Sequence, residues 1–152
     1  MNKVVQKIRI GFLILFTCAA IAMFVGDFLS FLLDPSDREI EKLLITQSES
    51  IEFPDYYQQI RRIYSDRGGI HSLRLIYKST YPIIEDELIK PLHEGGFPIK
   101  RRRVVSTIKY TRNIIVLENE RYACVVTIMD EQNFDMIFYY KTPIERAFGA
   151  RY

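Results

Sequence analysis

The chain begins with a long apolar run and continues with shorter segments in which hydrophobic and polar residues alternate. Residues 10–25 carry no charged side chain, and the apolar run continues past Asp27 to residue 33. A helix needs ~20 mostly apolar residues to cross a bilayer. The pattern therefore predicts a transmembrane anchor over residues 10–33, followed by a separate domain over residues 34–152.

The charges that flank the apolar run predict its orientation. The charged residues that precede it are all basic: Lys3, Lys7 and Arg9. Because Lys and Arg near a span favour the cytoplasmic side, we expect residues 1–9 to form a basic cytoplasmic stub. In a bacterium, the span would then lie in the inner membrane and residues from 34 onward in the periplasm. Two alternatives stay open, namely cleavage as a signal peptide near Ala22 and lipidation at Cys18.

The predicted span contains four small residues that share one helix face. These are Gly11, Cys18, Ala22 and Gly26. Small residues at such spacing let two helices approach closely, which suggests a homodimer through the span; a helix without a partner is the alternative. Asp27 lies near the outer end of the span, where it would face a partner protein or the lipid headgroups.

Two helices are predicted at the start of the domain. Ser36 followed by Glu39 is a capping box, so the first helix should begin there and end near residues 47–50. The second helix is predicted to begin at residues 53–55 and to end at residues 66–69. Its apolar face would consist of Tyr56, Ile60, Ile63 and Tyr64.

The rest of the domain is predicted to be mainly β-structure with one more helix. A strand over residues 73–77 precedes a helix that is capped by residues 79–82, with Pro82 in its first turn. This helix has an apolar stripe that includes Ile84 and ends at residues 95–96. Four β-rich runs follow, separated by short polar breaks typical of hairpin loops. They cover residues 104–110, 114–117, 122–129 and 134–140. Sequential strands with short loops indicate an antiparallel meander, so the fold class is α+β, with helices packed on a mainly antiparallel sheet.

Charge is unevenly distributed along the chain. The sequence holds 21 basic and 19 acidic residues, which give a formal net charge of +2. That excess comes from the first 33 residues, so the predicted domain is formally neutral. A neutral domain argues against a nucleic-acid binder, because such proteins attract phosphates through a basic field. A single apolar run also argues against a multi-span channel or transporter.

The cysteines and histidines do not form a catalytic or metal-binding pattern. Cys18 falls in the predicted span, whereas Cys124 falls in a predicted strand that is apolar on both faces and should be buried and central. His71 and His93 have no neighbouring ligands at the spacing of a zinc site. We therefore predict no metal, no cofactor and no enzymatic activity; an enzyme that acts on the cell envelope is the weakest of three hypotheses.

Two charge runs suggest contacts with a partner protein. Residues 85–87 are acidic and suit the start of a helix; alternatively, they form an acidic face for a basic partner. Residues 100–103 are basic and suit an exposed edge strand; alternatively, they bind anionic lipid headgroups, a cell-wall polymer or an acidic protein. A protein contact is suggested because Arg and Tyr dominate interface hot spots. The candidate protein-binding residues are Arg101, Arg102, Arg103, Tyr110, Tyr139 and Tyr140. The choice among the tyrosines stays open, because the sequence does not set which strand face is exposed.

These observations predict a single-pass, membrane-anchored module that binds a protein partner outside the cytoplasm. In layout alone, a short anchor followed by a small domain resembles the anchored immunity proteins that neutralise toxins in the periplasm. The alternative is an accessory structural subunit of an envelope secretion or division complex that uses its transmembrane helix for assembly. Layout does not fix function, so both hypotheses are carried forward.

Overall fold

The computed structural model divides the chain into two compact units, Met1–Asp34 and Pro35–Tyr152. The structure describes residues 10–22, 25, 35–67, 69–107 and 111–148. The predicted cytoplasmic stub, residues 1–9, lies outside the described residues. So do three residues singled out from the sequence, Gly26, Asp27 and Tyr110.

In the first unit, a helix, α1, covers residues 10–22. Its large apolar side chains are exposed: Ile10, Phe12, Leu13, Ile14, Leu15, Phe16 and Ile21. The predicted span over residues 10–33 also includes positions 23–24 and 26–33, which lie outside the described residues. Among the residues that are described, no helix has both the length and the apolar character needed to cross a membrane.

Within its described part, the second unit packs three helices on a six-stranded sheet. The helices are α2 (Asp37–Glu49), α3 (Glu85–Glu94) and α4 (Pro143–Phe148). The strands are β1 (Tyr57–Arg67), β2 (Ile70–Ser79), β3 (Ile99–Ser106), β4 (Thr111–Glu118), β5 (Tyr122–Ile128) and β6 (Asn133–Tyr140). Their order in the sheet is β1-β2-β6-β5-β4-β3, and all neighbouring strands are antiparallel. The predicted α+β fold with an antiparallel sheet is confirmed.

The helix ends carry the signals expected from the sequence. The backbone N–H and the hydroxyl of Ser36 both donate to the Glu39 carboxylate, each at 2.8 Å. Helix α3 ends at Glu94 with Gly95 as its C-cap, and Gly96 adopts a positive φ of 82° that few other residues tolerate. One detail differs: Ile84 is the N-cap of α3 and 54% exposed, while Ile89 takes its place in the core.

The predicted second helix is wrong, because that segment forms strand β1. The spacing of Ile60, Ile63 and Tyr64 suits a helix, but β-branched and aromatic residues also favour strands. The segment becomes a strand because it pairs with β2. An antiparallel partner connected by a tight turn forms hydrogen bonds with the backbone N–H and C=O groups of every second residue. A register shift between Gln59 and Arg61 leaves Ile60 60% exposed.

The predicted meander of four strands is confirmed, with a different first turn. Thr111 was expected in a loop, yet it begins β4 and pairs with Ser106 of β3. The basic run lies inside β3, which is an edge strand where exposed charge is tolerated. β5 lies between β4 and β6, and its Cys124 is fully buried, as the apolar alternation predicted.

The core lies between one face of the sheet and the helices. From α2 and α3 it receives Ile40, Leu44, Leu88, Ile89 and Leu92. The sheet contributes Leu73, Leu75, Tyr77, Ile115, Leu117, Cys124, Val126, Phe134, Met136 and Phe138. Because these strand residues alternate in sequence, the residues between them point to the opposite face.

Candidate functional site

The strand register defines which side chains share the sheet face opposite the core. Arg74 pairs with Ile137, and Ile137 pairs with Val125. Val125 pairs with Val116, which pairs with Arg101. Paired residues point to the same side of a sheet. This row therefore crosses five strands and ends at the charged edge strand β3.

A second row runs beside the first. Ile76 pairs with Asp135, and Asp135 pairs with Thr127. Thr127 pairs with Ile114, which pairs with Arg103. We call the surface formed by these two rows the outer face. By the same register, its further members are Arg61, Ile63, Ser65, Ser72, Glu118, Ala123 and Tyr139.

The outer face combines an apolar centre with arginines at both edges. Its half-buried apolar side chains are Ile63, Ile76, Ile114, Val125 and Ile137, and Val116 and Ala123 are buried. Its exposed edge arginines are Arg61, Arg101 and Arg103. An apolar centre with a polar rim and enrichment in Arg is typical of protein interfaces. This surface can therefore make apolar and charge-assisted contacts with a protein.

The structure brings only two of the three predicted arginines together. Arg101 and Arg103 lie on the outer face, whereas Arg102 pairs in register with Ile115, a core residue. Arg102 points to the side of the helices, where its Nε lies 3.0 Å from Oε1 of Glu85 in the first turn of α3. Adjacent residues of a strand face opposite ways, so a run of arginines in the sequence is split between two surfaces.

The tyrosines are separated in the same way. Tyr139 is half-buried on the outer face, and burial is the main cause of its raised pKa. Tyr140 is only 8% exposed and packs edge-on against Tyr122 in the core, with ring centroids 6.1 Å apart. The expectation that Tyr140 presents an exposed ring is therefore wrong, because the next residue along a strand points inward. Tyr110 lies outside the described residues.

An ion pair in the middle of the outer face was missed by the sequence reasoning. Arg74 donates from Nε to Oδ2 of Asp135 at 2.7 Å, and its Nη2 contacts the same oxygen. The Asp135 side chain is 5% exposed and that of Arg74 is 44% exposed. Oδ1 of Asp135 has no hydrogen-bond partner among the described residues. The available signal was an acid in an otherwise apolar strand, since such a residue needs a partner when buried.

A groove beside α3 was also missed. It encloses about 420 Å³ between the segment that precedes β1 and the exposed side of α3. We call it the acidic groove, and its lining residues are Glu52, Phe53, Pro54, Tyr56, Glu87, Lys90, Pro91 and Glu94. Only Glu87 belongs to the acidic run recognised in the sequence. Glu52 and the aromatic residues approach it through the tertiary fold alone.

Aromatic rings form one wall of the acidic groove. The Tyr56 hydroxyl donates to Oε2 of Glu87 at 3.0 Å, and its ring lies edge-on to the exposed Tyr81 at 6.0 Å. Tyr57 lies behind, with ring centroids 4.5 Å from Tyr56. Burial raises the Tyr57 pKa to about 12, and the negative charge of Glu87 adds to the effect. The Phe53 ring contacts Tyr57 at 6.2 Å and anchors the wall to the core.

The buried histidine and the buried cysteine lie among residues that stabilise the fold. Nδ1 of His71 lies 2.9 Å from the Tyr64 hydroxyl, and its Nε2 lies 3.8 Å from Oδ1 of Asp37. These contacts hold the start of α2 against the β1–β2 hairpin. Burial raises the pKa of the Cys124 thiol, which disfavours the reactive thiolate.

Of the small residues predicted on one helix face, three are described and exposed. Cys18 and Ala22 are exposed on α1, and a side chain added at Gly11 would meet no atom within 4 Å. That face is thus open to a second helix over its described length. Gly26, the fourth member, lies outside the described residues.

The outer face presents arginines and apolar side chains, and the acidic groove presents carboxylates and aromatic rings. Among the described residues, no group of three His, Cys, Asp or Glu side chains could hold a metal ion. No protein-family model, curated protein or solved structure matches this chain.

Proposed function

We propose that the protein is a membrane-anchored module that binds a protein partner through the outer face. The observation that carries this proposal is the combination of an apolar centre with Arg101 and Arg103 on an exposed edge strand. Arg is enriched in interface hot spots, where its stem packs on apolar groups while its guanidinium pairs with carboxylates. The partner would present apolar residues flanked by acidic ones.

The anchor belongs to the proposal because α1 has no polar side. Four consecutive apolar residues, Phe12, Leu13, Ile14 and Leu15, are 72%, 71%, 58% and 69% exposed. Successive helix positions are rotated by about 100°, so exposed apolar residues at adjacent positions cover all sides. A helix that is apolar all round suits lipid. With basic residues before it, the span would place the second unit in the periplasm of a bacterial cell.

Within this class, the favoured role is an immunity-type protein that blocks a toxin in the periplasm. The second candidate is an accessory subunit of a secretion or division complex, and a different observation favours it. Gly11, Cys18 and Ala22 lie exposed along α1, and such residues allow close helix packing. A homodimer or an assembly contact would then form through the anchor.

Charge reversal at one of two adjacent arginines tests the outer face. Arg103→Glu changes the outer face, whereas Arg102→Glu changes the helix side of the same strand and serves as a matched control. The chain from Pro35 to Tyr152 is immobilised after circular dichroism has shown that each variant is folded. We expect Arg103→Glu to weaken capture of an envelope partner by ~2 kcal/mol, about 30-fold, if the residue is central to the interface.

Three outcomes separate the hypotheses. Equal capture by both variants contradicts the assignment to the outer face. If the folded fragment captures nothing while the full chain in detergent co-purifies with membrane proteins, the contact belongs to the anchor and the subunit role replaces the first. Replacement of residues 10–33 by an unrelated anchor should preserve an immunity-type role and abolish an assembly role that depends on the helix.

A further inference from the structure

The acidic groove is opposite in charge to the outer face and also differs from it in the side chains that form its walls. Glu52, Glu87 and Glu94 supply three exposed carboxylates, against one ammonium from Lys90. Lys90 lies 4.0 Å from Glu94, one helical turn away, so its charge is already shared with a carboxylate of the groove. The lining therefore carries a net negative charge around a concave surface.

The Tyr56 ring gives this concave surface a second feature that favours cations. The Tyr56 hydroxyl donates to Glu87, which fixes the ring against α3. The face of an aromatic ring attracts a cation, and nearby carboxylates reinforce that attraction. The Tyr56 ring contacts the Tyr57 ring, which in turn contacts the Phe53 ring, so the wall is anchored to the core before any ligand binds.

We propose that the acidic groove binds the arginine or lysine side chain of a protein segment. A volume of about 420 Å³ accommodates one long side chain with part of its backbone, and the two walls match its two parts. The apolar stem packs on Pro91, while the charged end lies against the face of the Tyr56 ring, among the carboxylates of Glu52, Glu87 and Glu94. Charge complementarity selects a basic segment, because an acidic one would face like charges.

This binding site is independent of the proposed function. The outer face presents Arg101 and Arg103 to an acidic surface, whereas the acidic groove lies beside α3 and takes a basic side chain. Glu→Gln substitutions in the groove leave the arginines unchanged, and Arg103→Glu leaves the groove unchanged. Failure of one proposal is therefore distinguishable from failure of the other.

Peptide titration against the full chain in neutral detergent micelles tests the proposal. The probe is the peptide acetyl-Gly-Arg-Gly-amide, and its control carries citrulline, which has nearly the same shape without the charge. Binding is followed through the ring signals of isotope-labelled tyrosines by nuclear magnetic resonance. We expect the arginine peptide to shift the Tyr56 signal saturably and the citrulline peptide to leave it unchanged. An equal shift with citrulline, or no saturable shift with arginine, overturns the proposal.

Two groups of variants localise the binding. Glu52→Gln combined with Glu94→Gln should weaken binding roughly threefold to tenfold, which is the range expected for two exposed ion pairs. The matched control combines Asp66→Asn with Glu120→Gln, two exposed acids outside the groove. Tyr56→Leu keeps an apolar wall but removes the aromatic face, and should weaken binding roughly threefold. Because this variant lacks the Tyr56 signal, its binding is followed through the ring signal of Tyr57, which lies against position 56. The proposal would also be overturned if the Glu52/Glu94 variant bound the arginine peptide with the same affinity as the control variant.

Discussion

The ion pair between Arg74 and Asp135 provides a quantitative test of the outer face. Replacement of Arg74 by Met keeps the apolar stem and removes the guanidinium that contacts Oδ2 of Asp135. The other oxygen, Oδ1, already has no partner among the described residues. Arg74→Met therefore leaves a carboxylate that is 5% exposed without a countercharge, and a carboxylate in that position is strongly destabilising.

The size of the expected loss in stability follows from the burial of Asp135 and from the exposure of Arg74. Removing one member of a buried ion pair costs about 3–5 kcal/mol, because the other charge stays uncompensated. The Arg74 side chain is 44% exposed, so water reaches its side of the pair and the lower end of that range applies. We expect a loss of about 3 kcal/mol in the free energy of unfolding, or roughly 10 °C in Tm.

The assay is urea unfolding of the chain from Pro35 to Tyr152, followed by circular dichroism. The matched control is Arg61→Met, which changes an exposed arginine of the same face and should cost under ~0.5 kcal/mol. The double variant Arg74→Met with Asp135→Leu removes both charges and should recover to within about 1 kcal/mol of the parent. If Arg74→Met costs no more than Arg61→Met, Asp135 does not depend on its partner and the reasoning fails.

Three further predictions address other parts of the second unit. Burial opposes ionisation of Glu118, but hydrogen bonds from Lys100 and Lys141 lower its pKa below the ordinary value of 4.5. The ionised Glu118 side chain therefore stabilises the fold above that value, and this stabilisation is lost as the pH falls through the lowered pKa of the folded state. Glu118→Gln should therefore flatten the acid side of a stability-against-pH curve, and an unchanged slope below pH 4.5 would contradict this assignment. The Cys124 thiol should resist iodoacetamide in the folded fragment from Pro35 to Tyr152 and react in urea, because the residue is fully buried and its pKa is raised; modification at equal rates in both states would refute its burial. Gly96→Ala should cost about 1 kcal/mol in urea unfolding, because φ is 82° there, and a neutral substitution would show that the helix end adjusts.

Much of the fold could be predicted because its signals are local. The Ser36–Glu39 capping box needs only residues three apart, and the positive φ of Gly96 needs only the adjacent helix end. The apolar residues around Cys124 predicted a buried, central strand; β5 is central and Cys124 is buried, although Val125 on the outer face is only half-buried. In each case the physical cause lies within a few residues of the signal.

The failures lie where a distant partner decides. The segment Tyr57–Arg67 has a spacing that fits a helix, and only pairing with β2 makes it a strand. The turn between β3 and β4 was misplaced for the same reason, since the pairing of Thr111 with Ser106 sets where the strand begins. Pairing energy depends on a neighbour that a single-segment pattern does not contain.

The sequence by itself determined which charged and aromatic residues were available for the candidate surfaces. The tertiary structure decided which of them lie together on each surface. A basic run was visible, but strand alternation separates Arg102 from Arg101 and Arg103 and directs it to Glu85. Tyr140 was chosen for its residue type, yet the register places it in the core. The acidic groove joins Glu52 to Glu94 across 42 positions of sequence. The charged and aromatic residues can be identified from the sequence, but whether they lie on one surface depends on strand register and helix packing.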